Sequence, residues 1–232
     1  MINLKKGQRI NLAKENGVEL RNFCVGCNWG MIPTGKTITK TIKPGFFGIG
    51  RKTERVPELK AVDLDLSCIM LDANKSMVDY IYSPEYRKSW LANYNLPKGK
   101  LFSYDGAMNH SGDDRKGDAN GDDGMDNEII TVSLDDVKDK IKEIYFFLNN
   151  FGTEDFSRIP YASIRMYEGT PQKVNNIYAS FNVAADPQFA GKRALIMGKL
   201  YRNGDRWKFA AIGDAYEDRN LCETIQRILK SY

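Results

Sequence analysis

Seven carboxylates fall within the sixteen residues 113–128, namely Asp113, Asp114, Asp118, Asp122, Asp123, Asp126 and Glu128, opposed only by Arg115 and Lys116. Like charges 4 Å apart repel by about 1 kcal/mol at the dielectric of water, and by more where water is excluded. Either the segment stays extended and hydrated, or a hard cation gathers its oxygens. Gly112, Gly117, Gly121 and Gly124 supply turns through which backbone carbonyls could join the ligand set. Calcium is the natural ion, because it accepts about six to eight oxygen ligands in irregular geometry, whereas magnesium demands an octahedron. The EF-hand pattern fits in part. Asp118, Asn120 and Asp122 match its first, third and fifth positions, but Asp123 replaces the required glycine and Glu128 comes one place early. A strand pattern, not a helix, follows at Ile129, so the expectation is an acidic calcium loop of another kind.

A second acidic element stands at residues 62–68. Val62, Leu64 and Leu66 alternate with Asp63, Asp65 and Ser67, so both carboxylates leave one face of a strand about 6 to 7 Å apart. A solvated strand face would also explain them; beside a flexible acidic loop they make a cation site. The single histidine, His110, excludes histidine-rich zinc sites, and no G-x-S-x-G supports a triad built on it. It is expected to tie down the loop that follows. Cys24 and Cys27 alternate with Phe23, Val25 and Trp29 in a period of two, which predicts buried thiols on a strand and not a redox pair at a helix start.

The elements that must hold these groups are short and alternating. Strands are predicted at 2–4, 10–12, 23–29, 62–71, 77–82, 101–104, 129–134, 141–149, 161–167, 177–183, 194–201 and 207–212, with a hairpin at Asn203-Gly204. That spacing, without intervening helices, argues for an all-β fold, an antiparallel two-sheet β-sandwich with short helical insertions and a C-terminal helix. Leu221, Ile225, Ile228 and Leu229 form one stripe of that last helix. Ser83, Pro84 and Glu85 predict a capped helix running into Tyr86, Trp90 and Leu91, as a decorating insertion at 83–100. Residues 31–60, rich in proline and glycine and with seven basic residues against two acidic ones, are expected to form a mobile basic insertion. Its Gly-Phe-Phe-Gly-Ile-Gly at 45–50, followed by Arg51 and Lys52, could touch a membrane or an acidic partner.

Composition sets the outer bounds. The chain has 232 residues, 42% hydrophobic and 28% charged, with a net charge of +4. That suits one soluble domain spanning 1–232 and gives no argument for a nucleic-acid partner. No apolar run reaches the ~18 residues of a spanning helix, and the first residues lack a signal-peptide core. The chain is therefore expected in the cytoplasm, peripheral to the membrane at most. Four cysteines are too few for a disulfide scaffold.

Val-Asp-Leu-Asp-Leu-Ser at 62–67, His-Ser-Gly-Asp-Asp at 110–114 running into the Gly-Asp-Asp and Asp-Asn-Glu clusters, and Trp-Lys-Phe-Ala-Ala-Ile-Gly at 207–213 occur in an order that resembles the TerD family of tellurium-resistance and stress proteins. The resemblance implies a calcium-binding β-sandwich whose ions are held by acidic loops at one end. Many members carry Gly-Trp-Asp where this chain has Trp29 followed by Gly30, leaving Asn28 as a weak substitute for one carboxylate. The acidic loop is also longer than usual, so two registers remain open, one through Asp122 and Asp123 and one through Asp126 and Glu128. The expected metal ligands are Asp63, Asp65, Asp113, Asp114, Asp118, Asp122, Asp123, Asp126 and Glu128. The expected activity is a non-enzymatic, calcium-dependent role in tellurite resistance and stress response, through partner proteins of that system, some of them membrane-associated. A calcium-dependent lipid- or carbohydrate-binding sandwich and a metal-dependent hydrolase are the alternatives.

Overall fold

Period-two alternation becomes fourteen strands in the computed structural model, which describes residues 2–3, 7–12, 17–42, 52–184 and 186–232. In chain order the first seven are β1 (Ile2–Asn3), β2 (Arg9–Asn11), β3 (Asn22–Trp29), β4 (Ile32–Ile42), β5 (Lys52–Lys60), β6 (Leu64–Leu71) and β7 (Met77–Ile81). The rest are β8 (Met108–His110), β9 (Glu128–Ser133), β10 (Glu143–Asn150), β11 (Ala162–Thr170), β12 (Lys173–Asn182), β13 (Ala194–Asn203) and β14 (Arg206–Tyr216). Among the described residues, two α-helices, α1 (Lys88–Ala92) and α2 (Leu221–Ser231), and two short 3-10 turns at Phe156–Arg158 and Pro187–Phe189 complete the set.

One sheet runs β1-β12-β11-β3-β9-β8 and the other β2-β14-β13-β10-β6-β7. Their facing sides form the core, with Val25, Cys27 and Trp29 of β3 meeting Leu64, Leu66, Cys68 and Met70 of β6. The stripe on α2 covers the outer face of the second sheet, where Leu221, Ile225 and Ile228 pack on Ile69, Leu71, Tyr145 and Phe147. Asn220 caps this helix, its side chain accepting the Glu223 N–H at 3.2 Å. All four cysteines are buried thiols. The Asn203-Gly204 signal does mark a hairpin, with Asn203 paired to Arg206.

Several expectations change. Residues 101–104 are not a strand: Phe102 and Tyr104 are exposed, and the segment bends into a turn closed by Ser103 N–H to the Met108 carbonyl at 3.0 Å. The strand lies instead at β8. The helix in the 83–100 insertion begins at Lys88, and Ser83 closes a turn by accepting the Glu85 N–H at 3.2 Å. Within 31–60, β4 and β5 pair as an antiparallel ribbon where a loop was expected. Pro33 and Pro57 are compatible with it because each strand of a two-stranded ribbon leaves one edge unpaired. Residues 43–51, which hold the Gly-Phe-Phe-Gly-Ile-Gly motif, lie outside the described residues. Among the described residues one strand pair, β1 with β12, is parallel.

Candidate metal centre

β6 is buried along its whole length because one face meets the opposite sheet and the other lies beneath α2 and the 83–100 segment. Asp65 stands on that outer face, roofed by Tyr86, whose hydroxyl donates to Asp65 Oδ2 at 2.6 Å. Asp63 precedes the strand, its carbonyl accepting the Phe151 N–H at 2.9 Å. Asp113 enters from the acidic loop, and one carboxylate oxygen from each of Asp63, Asp65 and Asp113 lies within 4.8 Å of the others. They line a cleft of about 140 Å³ with Tyr86, Arg115 and Phe151, room for an ion and several waters. Arg115 opposes the cluster only from the solvent side, donating to Asp113 Oδ2 at 2.9 Å and pairing with Glu85 at 3.0 Å.

Burial, with Asp113 and Glu128 adding repulsion, pushes the Asp63 carboxyl up to about 6. Burial and then Glu128 raise Asp65 well above its ordinary range. Asp63 Oδ1 is buried with no hydrogen-bond partner among the described residues. Crowded carboxylates held in that state have the donor chemistry of a hard-cation site: all oxygen, no nitrogen or sulfur.

A second group forms within the loop itself, where carboxylate oxygens of Asp118, Asp122 and Asp123 lie within 4.8 Å of one another. Tyr161 donates to Asp118 Oδ2 at 3.0 Å, and Asn127 Nδ2 to Asp118 Oδ1 at 3.0 Å. Asn28 Nδ2 donates to Asp122 Oδ1 at 3.0 Å, while Asn28 Oδ1 is buried with no hydrogen-bond partner among the described residues. The loop is fixed to the sandwich end by Asp118 N–H to the Trp29 carbonyl at 2.9 Å, Met31 N–H to the Asp118 carbonyl at 3.0 Å and Val62 N–H to the Lys116 carbonyl at 3.1 Å. Gly117 makes this docking possible: its φ is +74°, and a Cβ there would meet the Trp29 indole at 2.5 Å.

The three remaining predicted ligands lie in neither group. Asp114 accepts Lys116 N–H at 2.8 Å and Gly117 N–H at 3.2 Å on one oxygen, and Asn127 Nδ2 at 3.2 Å on the other. Asp126 pairs with Arg165 Nε at 2.9 Å. Glu128 is buried, accepting Leu66 N–H at 2.7 Å and Asp114 N–H at 3.1 Å. Beside it, His110 Nε2 donates to the Leu66 carbonyl at 3.0 Å and His110 Nδ1 accepts Gly112 N–H at 3.0 Å. Glu128 and His110 thus satisfy Leu66 on the edge of β6 where β7 has ended. Of the two registers, Asp122 and Asp123 stand beside Asp118, whereas Asp126 and Glu128 are turned to Arg165 and to the Leu66 N–H.

The TerD domain model matches residues 1–227. The chain belongs to the TerD domain family. Stress response protein SCP2 of Bacillus subtilis (strain 168) is 30% identical to it over 234 residues, covering 97% of this chain and 98% of that protein. Tellurium resistance protein TerZ of Serratia marcescens is 27% identical over 221 residues, with 95% and 93% covered. Among solved structures, a homologue of telluride resistance protein TerD from Streptomyces coelicolor A3(2) superposes with a TM-score of 0.57 at 15% identity, over 91% of this chain and 96% of that one, which shows that the fold is shared. The sequence signal missed Tyr86, Asn127 and Tyr161, because no acidic pattern marks the neutral donors that orient carboxylates.

Proposed function

We propose that this chain is a non-enzymatic calcium-binding protein that acts in stress response and tellurium resistance, the roles named for its relatives. The observation that carries the calcium reading is the buried, unpartnered Asp63 Oδ1 in a cleft where three carboxylates converge from two separate chain segments. Asp63, Asp65 and Asp113 would hold one ion. Asp118, Asp122 and Asp123, with the Asn28 amide oxygen nearby, would hold another. When bound, calcium supplies positive charge that cancels the carboxylate repulsion. The non-enzymatic reading is supported by His110, whose two ring nitrogens are both engaged with backbone groups and so offer no general base. Tellurite is an oxyanion that an acidic rim repels, so the output fits contact with partner proteins of the resistance system in the cytoplasm better than sequestration. Among the described residues no helix is long and apolar enough to cross a membrane.

Calcium titration by calorimetry tests this directly. Heat of binding at millimolar calcium or tighter is expected, together with a rise in melting temperature, since an ion bound only by the folded state at a hundredfold excess over Kd adds ~2.7 kcal/mol. An unchanged melting temperature and no heat would refute the calcium reading.

A further inference from the structure

The ribbon formed by β4 and β5 pairs with neither sheet. Residues 33–41 and 53–55 are exposed along it. An isolated two-stranded ribbon is marginal in water, yet this one runs eleven residues in β4, about 35 Å. Its charge is one-sided: the 31–60 segment holds seven basic residues and two acidic ones, in a chain whose net charge is +4. Lys60 pairs with Glu154 at the root. Among the described residues no carboxylate lies within ion-pair distance of Lys36, Lys40 or Arg55.

The root of this arm is the rim of the metal centre. Met31 and Val62, which flank the ribbon, are both hydrogen-bonded to the acidic loop. Phe151, bonded through its N–H to Asp63, lines the cleft and is 49% exposed. It stacks on Trp90, 41% exposed, at 6.2 Å between ring centroids, and Arg87 lies over Trp90 at 5.5 Å. One end of the sandwich thus presents a basic arm, an exposed aromatic pair and a carboxylate cleft.

We propose that this end docks on a bilayer rich in anionic phospholipid, with Lys36, Lys40 and Arg55 at the headgroups and Trp90 and Phe151 at the boundary with the acyl chains. Basic residues near such a surface each add attraction, and aromatic side chains favour that depth. Nucleic acid would satisfy the arm's charge; the apolar Phe151–Trp90 pair, with Ile38 also exposed on the ribbon, favours lipid. The inference rests on the calcium reading in one respect: with the cleft filled, the acidic rim no longer repels phosphate.

The test is co-sedimentation of the full chain with phosphatidylcholine vesicles, with and without phosphatidylserine, at millimolar calcium and moderate salt, run beside the calcium calorimetry. Pelleting with the anionic vesicles alone is expected, and K36A/K40A/R55A should lower partitioning by roughly a hundredfold. Trp29 and Trp207 are buried, so the blue shift of tryptophan emission on vesicle binding should come from Trp90 and vanish in W90F. Equal pelleting on neutral vesicles, an undiminished triple variant, or no pelleting by calcium-loaded protein would overturn the proposal. So would retention of duplex DNA that anionic vesicles fail to compete away. Anionic pelleting that persists in chelator, with no calorimetric calcium uptake, would uphold the docking face and remove the calcium reading.

Discussion

Tyr86 donates its hydroxyl to Asp65 Oδ2 at 2.6 Å, and both side chains are buried. The tyrosine comes from the 83–100 insertion and the aspartate from the start of β6, so an inserted segment orients a carboxylate at the sandwich end. Burial also pushes the Tyr86 hydroxyl well above its ordinary range, with the Asp65 charge next in effect, which keeps it a donor.

Replacing Tyr86 with Phe removes that donor and leaves a buried carboxylate oxygen without a partner. Hydrogen bonds to charged groups contribute ~1.5–3 kcal/mol, so Tyr86→Phe should lower stability in chelator by about that amount. In saturating calcium the loss should shrink, because bound positive charge offsets the missing donor. Calorimetric melting in both conditions checks this; an equal loss in each would show that Asp65 faces no ion.

Acid should act on this fold with opposite signs in the two states. The folded-state Asp63 carboxyl sits at about 6 against an ordinary value of 3.8, so without calcium the folded form binds the proton more tightly and stability from this group rises as pH falls through 6 toward 4. Calcium requires the ionised form. At about pH 5.5 roughly three in four Asp63 carboxyls are protonated, so calcium affinity should drop at least about fourfold from pH 7.5. Paired titrations at those two pH values, with melts in chelator, measure both signs.

Much of this was legible in the chain. Asp63 and Asp65 alternate with Val62, Leu64 and Leu66, and the acidic loop declares itself by composition. The division of labour within that loop was not. Asp126 looks like its neighbours, but its partner Arg165 is 39 residues away on β11, and pairing across a sheet is set by register that no local pattern records. The ribbon was hidden for a different reason. Pro33, Gly35 and Pro57 are loop signals, yet a two-stranded ribbon tolerates them at unpaired edges and at the register shift after Pro33.

Gly26 exposes the same cross-sheet pairing to test. A Cβ there would lie 2.1 Å from Asp126 Oδ2, and the Asp126 side chain is fully buried against Arg165. Gly26→Ala must therefore push the Asp126 carboxylate from its place against Arg165, at a cost of up to the about 3–5 kcal/mol of losing one partner of a buried pair. Denaturant titration should show this. Because Asp126 lies outside both carboxylate groups, calcium stoichiometry should not change. Adding Asp126→Ala to Gly26→Ala should cost less than the sum of the two single changes.

Glu128 and Asp63 should respond in opposite senses, which separates a tie from a ligand. Glu128 accepts two backbone N–H groups, from Leu66 and Asp114, and an amide in its place offers one acceptor and turns an NH2 toward the other N–H. Glu128→Gln should cost ~1–3 kcal/mol through that unsatisfied donor. It also removes a charge that raises Asp63 and Asp65, so calcium binding should survive with less pH dependence. Asp63→Asn relieves repulsion in the cleft while deleting an ionised oxygen: melting in chelator should rise, and the calcium-induced increment from that cleft should disappear. If Glu128→Gln instead abolished calcium uptake while Asp63→Asn retained it, the cleft assignment would be wrong and the ion would have to sit deeper, between Glu128 and His110.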